Sequence, residues 1–275
     1  MLFLDIRKAY DTVFREGLWK EMMCKGIKGK MWRVVKNLYR EVGSCVRIGE
    51  EKTDWFEIDV GLRQGCILSP ILFSIFIDGL AEEVKKVGGV KYGEIVVSLL
   101  LFADDIVLIA EDDRMLQDML EVVYQYSKKY RFRFNKDKSN VMIFGKRKIG
   151  EEKYRLGESE LQRVGNYKYL GLMLDKNFRW KKHLEKILEK ARKRTKVLCG
   201  MGIRKGMSAR AILRGWEVLV RPLLEYGAEI WGEREWKEGE SLQMEMGRKV
   251  LGVNKMTTRE AIQGLGLNRL SSRRV

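Results

Sequence analysis

The chain of 275 residues has little proline, little cysteine and almost no histidine: two, four and one, respectively. With Pro70 and Pro222 the only prolines and no repeat or low-complexity stretch, a long flexible linker is not indicated. The cysteines, at 24, 45, 66 and 199, form no Cys-x-x-Cys pair, and His183 stands alone, so the spacing argues against a structural zinc site. No apolar run reaches the ~18 residues that a membrane span needs. Together with the lack of a secretory leader, this sets the expectation of an intracellular, thiol-reducing setting, nucleus or cytoplasm, with no membrane association and no secretion. Acidic charge is also scarce, 38 Asp and Glu against 54 Lys and Arg. The resulting +16 suits a polyanionic partner, while 45% hydrophobic residues suffice for one large domain or two small ones.

Met1-Leu2-Phe3-Leu4-Asp5 reads as a buried strand from its first residue, where a complete domain usually has a polar lead-in, so the expectation is that the front of this domain is missing. Asp11 or Thr12 then caps a helix burying Leu18 and Met22. A second helix buries Met31, Val34, Val35 and Leu38 at i, i+3, i+4, i+7 spacing. Alternation between 45 and 60 predicts a hairpin. Gly61 to Gly65 is a loop, and Ser69-Pro70 opens a helix that buries Leu72, Ile75, Phe76, Leu80 and Val84. Another helix, favoured by Glu111, Asp112 and Asp113, buries Leu116, Met119, Leu120 and Val123, and strands return near 132–134, 141–144 and 167–174. From about 176 the pattern is helical: a helix from Trp180 to Leu198, one from Ser208 to about Ala228, and shorter ones near 240–251 and 258–264. The expected domains are 1–175 and 176–275.

Asp104 and Asp105 stand out because they lie between two strongly apolar runs, Ile95 to Leu101 and Ile106 to Ala110. An unpaired buried carboxylate costs several kcal/mol. The pair must therefore sit in a hairpin turn, meet a basic partner or hold a metal. Asp5 ends a strand in the same manner, and strand pairing could bring three carboxylates to one sheet end. Three hard oxygen ligands suit Mg²⁺. Such a cluster can hold two ions roughly 4 Å apart, one activating a 3′-hydroxyl and one stabilising a leaving pyrophosphate.

Five segments in order resemble the palm motifs of reverse transcriptases, and most closely those of non-LTR, LINE-like retrotransposons. They are Asp5-Ile6-Arg7-Lys8-Ala9-Tyr10-Asp11, Gly61 to Pro70, Phe102-Ala103-Asp104-Asp105, Asn135-Lys136-Asp137-Lys138-Ser139 and Tyr169-Leu170-Gly171. The resemblance covers about 1–175; Pro222 to Gly227 and Trp231 are similar to the region after the palm. It implies an α+β right-hand polymerase palm, an antiparallel sheet with packed helices, followed by an all-α thumb-like domain. The implied activity is RNA-directed DNA polymerisation from dNTPs onto a primer 3′-hydroxyl, with an RNA template, a DNA primer and two Mg²⁺ ions, or Mn²⁺ in their place. Asp5 and Asp104 would be the main metal ligands, with Asp105 beside them and Ile6 adding a backbone carbonyl. Tyr10 would be the steric gate against a ribose 2′-hydroxyl, Gln64 and Gly65 would lie at the incoming nucleotide, and Lys138 would protonate the pyrophosphate. Tyr169, Leu170 and Gly171 would grip the primer.

The helix after 180 surrounds an apolar stripe with Lys182, Lys186, Lys190, Lys193 and further cations, against Glu185 and Glu189. A solvated amphipathic face is the simple explanation; in the family this is a thumb contacting phosphates without regard to sequence. His183 is a helix-surface or packing residue, and Trp216, Trp231 and Trp236 are core anchors. No fingers motif precedes Asp5. A catalytically silent nucleic-acid-binding remnant and a group II intron maturase-like enzyme therefore stand as the alternatives. Nothing in the sequence sets the oligomeric state.

Overall fold

The computed structural model describes residues 1–145, 153–232, 236–254 and 256–258, together with Leu267 and Leu270. These form two compact units, Met1–Gly165 and Asn166–Val275.

In the first unit, β1 (Leu2–Asp5) leads to α1 (Arg15–Cys24) and α2 (Gly29–Leu38). Two ribbons follow: β2 (Gly43–Ser44) pairs with β5 (Phe56–Glu57), and β3 (Arg47–Ile48) with β4 (Glu51–Lys52). Next come α3 (Ser69–Val87), the hairpin β6 (Val90–Tyr92) and β7 (Ile95–Val97), β8 (Leu99–Phe102), β9 (Asp105–Leu108), α4 (Asp113–Lys129), β10 (Asn140–Val141), β11 (Arg155–Leu156), β12 (Ser159–Glu160) and β13 (Gln162–Arg163). The main sheet has the order β13-β10-β1-β9-β8, antiparallel except for β10 and β13. β1 has pairing strands on both sides, and Leu2, Phe3 and Leu4 are all buried, so both of its faces are covered. Leu72, Phe76, Leu80 and Val84 of α3 and Leu116, Met119, Leu120 and Val123 of α4 lie in the same core. Asp112 caps α4, its Oδ1 accepting from the Met115 N–H at 2.7 Å, which satisfies one of the helix's free donors.

Three local expectations change. Neither Asp11 nor Thr12 caps α1; the cap is Phe14, without a side-chain bond, while Thr12 Oγ1 donates to the Lys8 carbonyl at 3.1 Å. In α2 only Val35 is buried, and Met31, Val34 and Leu38 are exposed. The helical spacing is right, but α1 alone packs closely against this helix, and one neighbour cannot cover a whole apolar face. The strand expected around 132–134 reduces to one bridge, Ile6 to Phe134.

In the second unit, the hairpin β14 (Asn166–Tyr169) and β15 (Leu172–Asp175) precedes α5 (Lys181–Arg204), α6 (Ala209–Leu219), α7 (Arg221–Glu225), α8 (Ala228–Trp231) and α9 (Lys237–Leu251). Its core contains Leu172, Leu188, Ala191, Trp216, Leu224, Trp231, Trp236 and Met246. Leu172 draws the hairpin into this unit, ahead of the division expected near 175. The single helix expected from Ser208 to Ala228 is broken after Leu219, because Pro222 at the start of α7 has no N–H to continue it. Of the helix expected at 258–264, residues 259–264 lie outside the described residues. No helix among the described residues is long and apolar enough to cross a membrane.

Candidate active site

β8 and β9 are joined by a two-residue turn, since Phe102 pairs with Asp105 and leaves Ala103 and Asp104 at the tip. Ala103 has φ +52°, a left-handed conformation that costs an L-residue about 1–2 kcal/mol. A two-residue hairpin needs such an angle to match the twist of its strands. Here it is adopted without glycine. Asp105 stands directly opposite Asp5 in the pairing of β9 with β1. The Ile6 N–H donates to the Asp104 carbonyl at 3.4 Å, tying the turn to the end of β1.

Like charges opposed across a ladder are destabilising. Burial, and then the charges of Asp104 and Asp5, push the Asp105 carboxyl above its ordinary range, while Lys138 partly relieves it. Lys138 Nζ lies 3.6 Å from Asp5 Oδ2. It is delivered there by a tight turn: the Asn135 N–H donates to the Asp5 carbonyl at 2.8 Å, and the Asn135 carbonyl accepts from Ser139 Oγ at 2.7 Å. Ser139 is fully buried. Asn135 and Ser139 thus position Lys138, a part that sequence reasoning did not give them; the signal was the polar run ahead of β10.

Tyr10 is half-buried and stacks on Phe73 at 5.1 Å. Its carbonyl accepts from the Leu62 N–H at 2.7 Å, so the loop carrying Gln64 and Gly65 is fastened beside it. Gln64 Nε2 donates to Asp11 Oδ1 at 2.6 Å. Gly61 has φ +81°, and a Cβ there would lie 2.6 Å from the Asp11 carbonyl oxygen, so only glycine allows this approach. Arg15, which the sequence did not single out, anchors the same loop from beneath. Buried, it donates to the carbonyls of Gly61 at 2.9 Å, Ile58 at 2.7 Å and Val60 at 3.2 Å. Burial lowers its pKa, but the carbonyl acceptors satisfy the fork. The first unit therefore gathers Asp5, Ile6, Asp104, Asp105 and Lys138 at one sheet end, and Tyr10, Gln64 and Gly65 on a linked loop.

Among the described residues, no three His, Cys, Asp or Glu side chains form a ready-made metal cage. Mg²⁺ rarely requires one, because it is usually held by one or two carboxylates with substrate phosphates and water completing the shell. The opposed Asp5 and Asp105 offer hard oxygen donors whose mutual repulsion a cation would relieve, so the residues fit such an ion.

The remaining expected residues lie in the second unit. Tyr169 ends β14, and Leu170 and Gly171 form a two-residue turn with φ +43° and +84°, the pair of positive angles of a type I′ hairpin. Tyr226 Oη donates to the Leu170 carbonyl at 2.6 Å, and a Cβ on Gly171 would lie 2.9 Å from the Tyr226 ring. His183 is buried rather than at the helix surface. Its Nδ1 accepts from the Met173 N–H at 3.2 Å, and its ring lies 6.0 Å from those of Trp180 and Trp231. Burial alone lowers its pKa. Lys182, Lys186, Lys190 and Lys193 are exposed along α5, with Lys193 paired to Glu189 at 2.6 Å.

Residues 1–174 match the reverse transcriptase (RNA-dependent DNA polymerase) family. The chain is 25% identical over 261 residues to the RNA-directed DNA polymerase from mobile element jockey of Drosophila funebris, covering 91% of this chain and 28% of that protein. It is 29% identical over 178 residues to the Pol polyprotein from type-2 retrotransposable element R2DM of Drosophila melanogaster, covering 62% and 17%. Among solved structures it resembles telomerase from Candida albicans in complex with a fragment of telomeric RNA, with a TM-score of 0.44 and 11% identity over 96% of this chain and 45% of that one. The chain spans less than a third of the length of these curated relatives.

Proposed function

This chain belongs to the reverse transcriptase (RNA-dependent DNA polymerase) family, and from that membership we propose that it carries the palm and thumb of an RNA-directed DNA polymerase of a non-LTR retrotransposon. The observation that carries the reading is Asp5 opposite Asp105 at the end of one sheet, with Asp104 in the adjoining turn and Lys138 3.6 Å from Asp5. The jockey relative and its kin are named RNA-directed DNA polymerases, which supports an RNA template, a DNA primer and dNTPs as partners.

Asp5, Asp104 and Asp105, with the Ile6 carbonyl, would hold divalent cations, Mg²⁺ or Mn²⁺. Bound there, such ions lower the pKa of an attacking 3′-hydroxyl and neutralise charge on the leaving pyrophosphate. Lys138, with Nζ 3.6 Å from Asp5 Oδ2, would donate a proton toward that leaving group. Tyr10, held by Phe73 and by the loop at Leu62, places aromatic bulk where a 2′-hydroxyl would sit. The Gln64 side chain, oriented by Asp11, and the unobstructed Gly65 backbone face the nucleotide from that loop. The exposed lysines of α5 bind the duplex backbone, and the turn Tyr169 to Gly171 holds the primer end.

The test is extension of a DNA primer on an RNA template with dNTPs and Mg²⁺, comparing the chain with its Asp104→Asn variant. The expected result is incorporation by the parent alone, abolished by chelation. Equal incorporation by both would remove Asp104 from the site. Binding of primed template with no incorporation by either would favour the silent nucleic-acid-binding reading.

A further inference from the structure

The loop that carries Gln64 and Gly65 is held at both ends by buried side chains from outside it. Its tip, Arg63 and Gln64, is exposed and lies between Gly61 and Gly65, both at φ +81°. Glycines leave a backbone wide freedom, so the position of such a tip depends on what fastens its ends.

At the entry, the Gly61 N–H donates to the Val13 carbonyl at 2.9 Å and the Leu62 N–H to the Tyr10 carbonyl at 2.7 Å. The Arg15 fork takes the carbonyls of Ile58, Val60 and Gly61 and also reaches that of Tyr39 at 3.3 Å. It therefore joins the loop entry to the end of α2, which Tyr39 caps. Tyr39 in turn reaches the exit. Ser69 Oγ donates to the Arg63 carbonyl at 2.6 Å, so its one hydrogen is used and it accepts from Tyr39 Oη at 3.4 Å. Tyr39 and Ser69 are both buried. The Tyr39 ring also lies under two guanidinium carbons, that of Arg15 at 5.2 Å and that of Arg63 at 6.0 Å from its centre. An apolar side chain would fill the place of Arg15 without the desolvation cost of a guanidinium. What the arginine adds is the placement of the loop.

We propose that Arg15 and Tyr39 form a clamp that positions Gln64 and Gly65 for the incoming nucleotide, with neither residue touching it. The nucleotide as ligand rests on the polymerase reading, whereas the placement of the loop can be measured without any substrate.

The test compares the whole chain with Arg15→Lys, Tyr39→Phe and a control, Tyr126→Phe. Lysine keeps the charge but cannot span the carbonyls that a planar fork reaches, and phenylalanine keeps the ring and loses the hydroxyl. Tyr126 is a buried tyrosine of α4 whose hydroxyl donates to the Phe76 carbonyl of α3 at 3.0 Å, so the control loses a comparable bond inside the core. In hydrogen exchange without dNTPs or metal, the amides of 61–66 exchange about tenfold faster in Arg15→Lys, measurably faster in Tyr39→Phe and as in the parent in the control. In primer extension the dNTP KM rises about tenfold in Arg15→Lys and about threefold in Tyr39→Phe, with kcat within about twofold of the parent and the primer KM unchanged. Unchanged loop exchange in both clamp variants overturns the clamp. A dNTP KM that stays at the parent value in a loosened loop, or rises equally in the control, overturns its role toward the nucleotide. A parent that incorporates nothing removes the polymerase reading, and the exchange result still decides the clamp. If Arg15→Lys does not fold, Tyr39→Phe carries both readouts.

Discussion

Two of the hairpins closed by two-residue turns, β8 with β9 in the first unit and β14 with β15 in the second, are built in opposite ways. The turn of Ala103 and Asp104 takes a positive φ on an alanine, places carboxylates across from each other and has a 3.4 Å backbone bond to Ile6. The turn of Leu170 and Gly171 puts glycine at its wider positive angle and is clamped by Tyr226 at 2.6 Å, and the Met173 N–H of the following strand donates to His183 of α5. Each turn holds one non-glycine residue at positive φ, Ala103 at +52° and Leu170 at +43°, but the first sets carboxylates against each other while the second is clamped by a side-chain hydrogen bond.

The largest effect expected from breaking this contrast is that of Asp5→Asn. It should lower nucleotide incorporation about 10³-fold or more, the equivalent of several kcal/mol of metal-supplied stabilisation. It should also hold or raise the thermal midpoint, because the charge facing Asp105 is gone; a lowered midpoint would remove the argument that this end of the sheet is repulsive. Next comes Gly171→Ala, which forces a Cβ against the Tyr226 ring at φ +84° and should cost about 1–3 kcal/mol in chemical denaturation. Tyr226→Phe keeps the ring and loses the bond to Leu170, a change of about 1 kcal/mol. If the hairpin grips the primer, both variants raise the primer KM more than the dNTP KM. Ala103→Gly should instead stabilise the protein by up to about 1 kcal/mol by removing the strained alanine, and any destabilisation would show the turn to be relaxed.

The smallest effect concerns pH. Burial lowers the His183 pKa, so the unfolded chain binds a proton more readily than the folded one. Stability from this source is complete above about pH 6.5, the ordinary value, and declines as pH falls below it. A melting series from pH 7.5 to 5 should show that decline, and it should be shallower in His183→Gln. Parallel curves would contradict it.

The parts of the site that were legible in the sequence were those whose chemistry is local. An Asp pair between apolar runs implied a hairpin, Glu111, Asp112 and Asp113 ahead of an amphipathic run implied a helix start, and the periodicity of α3 and α4 named their buried faces. The helix of Met31, Val34 and Leu38 shows the limit: periodicity finds an apolar face but not the neighbour that would cover it. Arg15 was illegible for the converse reason. An arginine in an apolar helix face reads as surface charge until several carbonyls from a distant loop are brought to meet it.

Sequence alone determined the inventory: the order of the motifs, the excess of basic charge, the two turns and the residue types that could bind metal or phosphate. Those follow from covalent order and local backbone preference, which act over a few residues. Only the tertiary structure decided the pairings, Asp5 with Asp105, Lys138 with Asp5, Gln64 with Asp11 and Tyr226 with Leu170. Each joins positions that the chain separates and that strand register or helix packing must bring together. Both the repulsion at the sheet end and the Tyr226 clamp on the second turn arise from such contacts, because Coulomb and steric forces act over ångströms of space, whatever the distance along the chain.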